Sequence, residues 1–84
     1  MTYTIEILRV AQKQLGGIDR LDQQRIIEAI RQLALVPRPA GCKKLSGRPA
    51  WRIRIGVYRV IYEIHEGRLV VLVIAIGHRK NVYL

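Results

Sequence analysis

Residues 51–65, WRIRIGVYRVIYEIH, followed by LVVLVIAI at 69–76, decide the fold. In the first run apolar Trp51, Ile53 and Ile55 alternate with Arg52 and Arg54, which is the period of a strand with one apolar and one basic face. Gly56 begins a short turn, and Tyr58, Val60, Tyr62 and Ile64 then alternate with Arg59, Ile61, Glu63 and His65. Glu66-Gly67 has the composition of a tight hairpin turn. The run from Leu69 to Ile76 is apolar at every position, so it predicts a strand buried on both faces and interior to the sheet, ended by Gly77. Three strands joined this way form an antiparallel meander.

Upstream, Tyr3, Ile5 and Ile7 alternate with Thr2, Thr4 and Glu6, predicting a first strand at the sheet edge or interior. A short helix is expected from about Arg9 to Leu15, stopped by Gly16-Gly17. Asp19 suits the N-cap of a second helix, with Asp22 in its first turn and Pro37 and Pro39 at its end. Ile26, Ile27, Ile30, Leu33 and Ala34 place one apolar stripe along it. Residues 37–50 hold all three prolines with Lys43, Lys44 and Arg48, and read as a basic loop. The expected fold is α+β, in the order β-α-α-β-β-β, with both helices on one face of a small, mostly antiparallel sheet.

The 84 residues suffice for one domain, spanning 1–84, and exclude a multidomain enzyme or a dinucleotide fold. A single cysteine, Cys42, excludes an internal disulfide and a cysteine-based zinc site, and it fits a reducing cytoplasm. The N-terminus carries Glu6 and Arg9 and does not read as a signal peptide. The eight-residue apolar run is too short for a membrane helix, which needs about 20. A soluble cytoplasmic protein with no membrane partner is expected.

Charge is the functional signal. The net charge is +9, with 11 Arg and 4 Lys against 6 acidic residues. Between Glu28 and Glu63 there is no acid, while Arg31, Arg38, Lys43, Lys44, Arg48, Arg52, Arg54 and Arg59 all fall in that interval. Such a field attracts polyanions, of which nucleic acid is the commonest large one. Arg52 and Arg54 share a strand face, and Arg59 follows across a short turn. Three guanidinium groups on a sheet face left open by the helices would clamp phosphate oxygens through paired hydrogen bonds. The tail HRKNVYL adds His78, Arg79, Lys80 and Tyr83 after the last strand, placed to fold back over the sheet. There is no Gly-rich phosphate loop, histidine cluster or paired carboxylate, and no metal or other cofactor is expected. Trp51 shares phase with Ile53 and Ile55 and reads as core; Cys42 and His65 read as incidental.

The strings KKLSGRPAWRIRIGVYRVIYEI and LVVLVIAIGHRKNVY together resemble the RelE branch of the RelE/ParE toxin superfamily. Nearly the whole chain is covered, and the order of elements agrees. The resemblance implies a small, metal-independent endoribonuclease of a toxin–antitoxin pair that cuts mRNA in the ribosomal A site. It further implies a cognate antitoxin that neutralises the toxin, and operator DNA bound only through the antitoxin complex. The family's basic strand positions fall on Arg52 and Arg54, its Y-R arginine on Arg59, the arginine after the last strand on Arg79, and the C-terminal aromatic on Tyr83. Lys43, Lys44, Arg48 and Lys80 would hold RNA or ribosome.

Several relatives carry lysine at the positions of Arg52 and Arg54. An arginine does not give up its proton, so a general base would have to be Tyr83 or His78. The superfamily leaves two rivals: a ParE-type toxin that poisons DNA gyrase, and an RNA- or ribosome-binding module without catalysis.

Overall fold

The computed structural model describes residues 2–78. Strand β1 (Thr4–Ile7) leads into helices α1 (Arg9–Gly16) and α2 (Arg20–Leu33), followed by strands β2 (Lys43–Lys44), β3 (Trp51–Ile55), β4 (Tyr58–His65) and β5 (Val70–His78). They form one five-stranded sheet in the order β1-β5-β4-β3-β2. The meander is antiparallel throughout, while β1 lies parallel to β5 at the edge. A parallel pair needs a covered crossover, and α1 and α2 supply it. Ala11, Ile26, Ile30 and Leu33 of the helices pack on Ile53, Val60, Tyr62, Val71, Val73 and Ile76 of the sheet, which puts both helices on one face.

Local chemistry explains the joints. The Asp19 carboxylate accepts from the Asp22 N–H at 3.4 Å and caps α2. Gln23 donates to the Leu15 carbonyl at 2.9 Å, satisfying an acceptor at the end of α1 and tying the helices together. α2 ends at Leu33, with Ala34 as its C-cap, a turn before the prolines predicted to stop it. There the Tyr3 N–H donates to the Ala34 carbonyl at 2.8 Å.

Two expectations need correction. The stretch 37–50 is not wholly loop: Lys43 and Lys44 pair with Arg52 and Trp51 as a two-residue edge strand. Polar lysines on an edge carry no apolar alternation, so the period test passes over them. β5 runs through Gly77 to His78 instead of stopping at Gly77, because the ladder to Arg59 and Tyr58 continues. The strand also carries a β-bulge: Ile61 pairs with Ala75 but Tyr62 with Val73, leaving Ile74 as an extra residue. A wholly apolar run has no alternation to fix its phase, so the bulge is invisible in it. Beyond the end of β1, the Gln14 side-chain oxygen accepts from the Ile76 N–H at 2.8 Å, covering the side of β5 that β1 leaves unpaired.

Tyr62 anchors the basic stretch to the core. Its ring is fully buried and its hydroxyl donates to the Pro37 carbonyl at 2.6 Å. Burial pushes the phenol far above its ordinary pKa, so it remains a donor. Arg38 stacks 4.9 Å above the Trp51 ring and reaches Glu66 at 2.7 Å, adding a second tie. Tyr62→Phe should leave the Pro37 carbonyl unsatisfied and cost about 1–2 kcal/mol in urea unfolding, with an unchanged denaturant slope.

Candidate nucleic-acid interface

Cross-strand partners share a sheet face, so the register places each cation. Arg54 lies directly opposite Arg59, and Arg52 lies opposite Ile61, two residues along β4 from Arg59. All three side chains therefore stand on the face away from the helices, as the alternation predicts. Side chains directly opposite have Cβ atoms about 5 Å apart, and diagonal neighbours about 7–8 Å. One phosphate can therefore meet more than one guanidinium. Lys43 joins this group through its pairing with Arg52, whereas Lys44 pairs with Trp51 and belongs to the other face. Arg48 is exposed in the turn between Leu45 and Ala50.

The three arginines are not equivalent. Arg54 is exposed, Arg59 is partly buried, and Arg52 is only 8% exposed. The Nε atoms of Arg52 and Arg59 are buried and have no hydrogen-bond partner among the described residues. Burial first, and then the charges of Arg54 and Arg59, hold the Arg52 pKa below its ordinary value. The charged form is therefore kept in the fold at a cost wherever arginine is ionised.

Among the described residues, no carboxylate relieves that cost. Of the six acids, Glu66 pairs with Arg38, Glu63 with His65, Asp22 with Arg25, Glu28 with Arg31 and Glu6 with Arg68, while Asp19 caps α2. Glu63 shares a strand and a face with Arg59, but four residues of strand separate them by about 13 Å. Among the described residues, Arg52, Arg54 and Arg59 have no ionic partner.

The sequence reading missed what lies beneath them. Ala50, Ile61 and Ala75 form a second buried cluster, with Leu45 and Ile74 against it. Because Ile61 is in phase with Arg59, this cluster occupies the arginine face. The face is thus a basic surface with an apolar floor. The only signal was Ile61 itself, an apolar residue at a position in phase with polar ones.

His78 is not brought to this site. It pairs with Tyr58, and their rings meet edge-on with centroids 6.2 Å apart. Tyr58 packs against the helix-side core, so His78 stands on the opposite face from the arginines. The bulge at Ile74 is the cause: continued without it, the register would put His78 opposite Val57 on the arginine face, and the extra residue puts it opposite Tyr58 instead. Arg79, Lys80 and Tyr83 lie outside the described residues. Among the described residues, no three metal-ligating side chains gather, and no helix is long and apolar enough to cross a membrane.

Comparison with known proteins follows this geometry closely. The profile of the family described as "ParE toxin of type II toxin-antitoxin system, parDE" matches residues 5–83. No curated protein matches the chain in sequence. Among solved structures, the archaeal RelE–RelB complex from Pyrococcus horikoshii OT3 is similar over 98% of this chain and 100% of that chain, with a TM-score of 0.85 and 27% identity. The RelBE2 toxin–antitoxin complex of Mycobacterium tuberculosis matches over 94% of this chain and 100% of that one, with a TM-score of 0.82 and 23% identity. The intact E. coli RelBE complex matches over 90% and 95%, with a TM-score of 0.80 and 24% identity.

The unrelieved repulsion sets a stability test. Arg54→Gln should stabilise the free protein by about 0.5 kcal/mol at low salt, with the gain shrinking toward 1 M salt. Thermal unfolding of both proteins across a salt series measures it.

Proposed function

From the premise that this chain belongs to the RelE/ParE superfamily of type II toxin–antitoxin toxins, we propose that it is an endoribonuclease that cuts mRNA in the ribosomal A site. The observation that carries the reading is the set of three arginines on one sheet face, one of them buried, with no carboxylate partner among the described residues. A site so built has room for the charge of a phosphodiester and for the further charge that develops in its transition state. The protein acts in the cytoplasm, where ribosomes are. A cognate antitoxin neutralises it, and the complex of the two binds operator DNA.

The RNA 2′-hydroxyl attacks the adjacent phosphorus. The O2′–P bond forms, the P–O5′ bond breaks, and a 2′,3′-cyclic phosphate and a 5′-hydroxyl result. Arg59, with Arg52 and Arg54, binds the non-bridging oxygens and stabilises their charge. The base that takes the 2′-proton is Tyr83, since His78 stands on the other face. A phenol with an ordinary pKa of about 10 serves as base when nearby cations lower it, and the arginine field is of the right sign. Arg79 orients the phosphate and stabilises the charge on the leaving 5′-oxygen, which becomes the 5′-hydroxyl by taking a proton from water. Lys43, Arg48 and Lys80 hold the RNA backbone, and Lys44, on the other face, contacts the ribosome. The ribosome supplies the bend that brings the 2′-oxygen into line.

Poisoning of DNA gyrase is a second reading, favoured by the ParE description of the matching family. The three-arginine face argues for the first. Primer extension on a translated mRNA in a purified translation system separates them. New 5′ ends inside A-site codons are expected with the wild type. Arg59→Leu should reduce them by about 100-fold or more. Tyr83→Phe should bind RNA and fail to cut. Blocked translation without new ends would identify a binding module. Unaffected translation with trapped gyrase cleavage complexes would identify a gyrase poison.

A further inference from the structure

We propose that Glu63 is a positioning residue that sets the path of the RNA over the sheet. With Glu6 it forms a carboxylate row across the open face. That row turns the phosphate backbone across the strands, so that it leaves the arginine site over the β2 edge and not along β4 and β5. The inference rests on reading the arginine face as the RNA site, and adds the direction in which the RNA crosses it.

The first ground is the order of charge along the strands. Cross-strand partners divide the open face into rows. Arg54 and Arg59 make the row beside the β3–β4 turn. Lys43 and Arg52 make the next, continued by Ile61 and Ala75. The third holds Glu63 and Glu6, each opposite Leu72 of β5. Their strand neighbours Tyr62, Ile5 and Ile7 pack in the helix-side core, so both carboxylates stand on the arginines' face. Successive rows are two residues apart, about 7 Å. The face therefore changes sign within one row of Arg52.

The second ground is that this row keeps its charge. His65 meets Glu63 at 2.9 Å, and a neutral imidazole donating there fixes the carboxylate without cancelling its charge. Glu6 meets Arg68 only at 4.0 Å, with both side chains exposed, a contact worth little in water. Glu63 lies one diagonal step from Arg52, with Cβ atoms about 7–8 Å apart. That is within the screening length of about 8 Å at physiological salt, so a phosphate following β4 past Arg52 is repelled. The third ground is the way out across the strands. Beyond Arg52 stands Lys43 on the edge strand, and Arg48 is exposed in the turn that joins β2 to β3. Neither has an ionic partner among the described residues, and no acid occurs from residue 29 to 62.

The experiment uses the whole chain and a fluorescent oligouridylate dodecamer carrying 4-thiouridine, read by anisotropy and by mass spectrometry of photo-crosslinked peptides. Wild-type crosslinks should fall in residues 43–59 and not in residues 4–7 or 70–72. Glu63→Gln with Glu6→Gln should add crosslinks in those two segments. Glu63→Gln alone should tighten binding about 2- to 3-fold at low salt, the effect of one charge removed about 7–8 Å from a phosphate in water. The gain should fade toward 1 M salt. Glu63→Asp keeps the charge and withdraws the carboxylate from His65, so it should keep the wild-type affinity and crosslinks. If Glu63→Asp behaves like Glu63→Gln, the effect runs through the His65 contact and the proposal is overturned. Unchanged crosslinks in the double variant would also overturn it. So would wild-type crosslinks in residues 70–72 from RNA whose binding still needs Arg59, leaving the RNA reading intact. RNA binding indifferent to Arg59→Gln would defeat the RNA reading of this face and the proposal with it.

Discussion

The pairing of β4 with β3 on one side and β5 on the other is the constraint from which the rest follows. It sets Tyr62 beside Trp51 and Val73 within the helix-side core. In the same stroke it sets Arg59 opposite Arg54 and diagonal to Arg52 on the other face. A slip of one residue would send the core tyrosine to solvent and the arginines into the helices. The apolar burial that makes the fold and the gathering of charge that makes the site are therefore enforced by one ladder.

That ladder holds an arrangement the side chains oppose. Like charges directly opposite on a sheet repel by about 0.2–1 kcal/mol, and a buried unpaired donor adds to this. In a domain of this size a few kcal/mol is a large share of the total stability. The compensation lies elsewhere, in Tyr62 tied to Pro37, Arg38 stacked on Trp51, and helices closed onto the sheet. Under the proposed reading, the site is built in advance of its ligand, which removes the cost of assembling it at the moment of binding.

The sequence made much of this legible. Strict alternation in residues 51–65 assigns both faces of β3 and β4, and the acid-free interval from 29 to 62 exposes the unbalanced charge. What it concealed has physical causes. β2 is two polar residues whose strand character comes only from the β3 edge. The bulge at Ile74 sits in a run with no alternation to break, and through it His78, read from sequence as part of the tail, stands opposite Tyr58 on the helix side. The burial of Arg52 depends on tertiary neighbours, as does the apolar cluster of Ala50, Ile61 and Ala75.

The central claim is that Arg52, Arg54 and Arg59 form a preassembled anion site held under repulsion. The most direct measurement is the unfolding temperature as phosphate replaces chloride at constant ionic strength. At about ten times the dissociation constant, a site that exists only in the fold gains ~1.4 kcal/mol, or about 6–11 °C for a domain of this size. The account predicts that rise in the wild type and its loss in Arg59→Gln. An equal rise in both proteins, or none in the wild type, would contradict it.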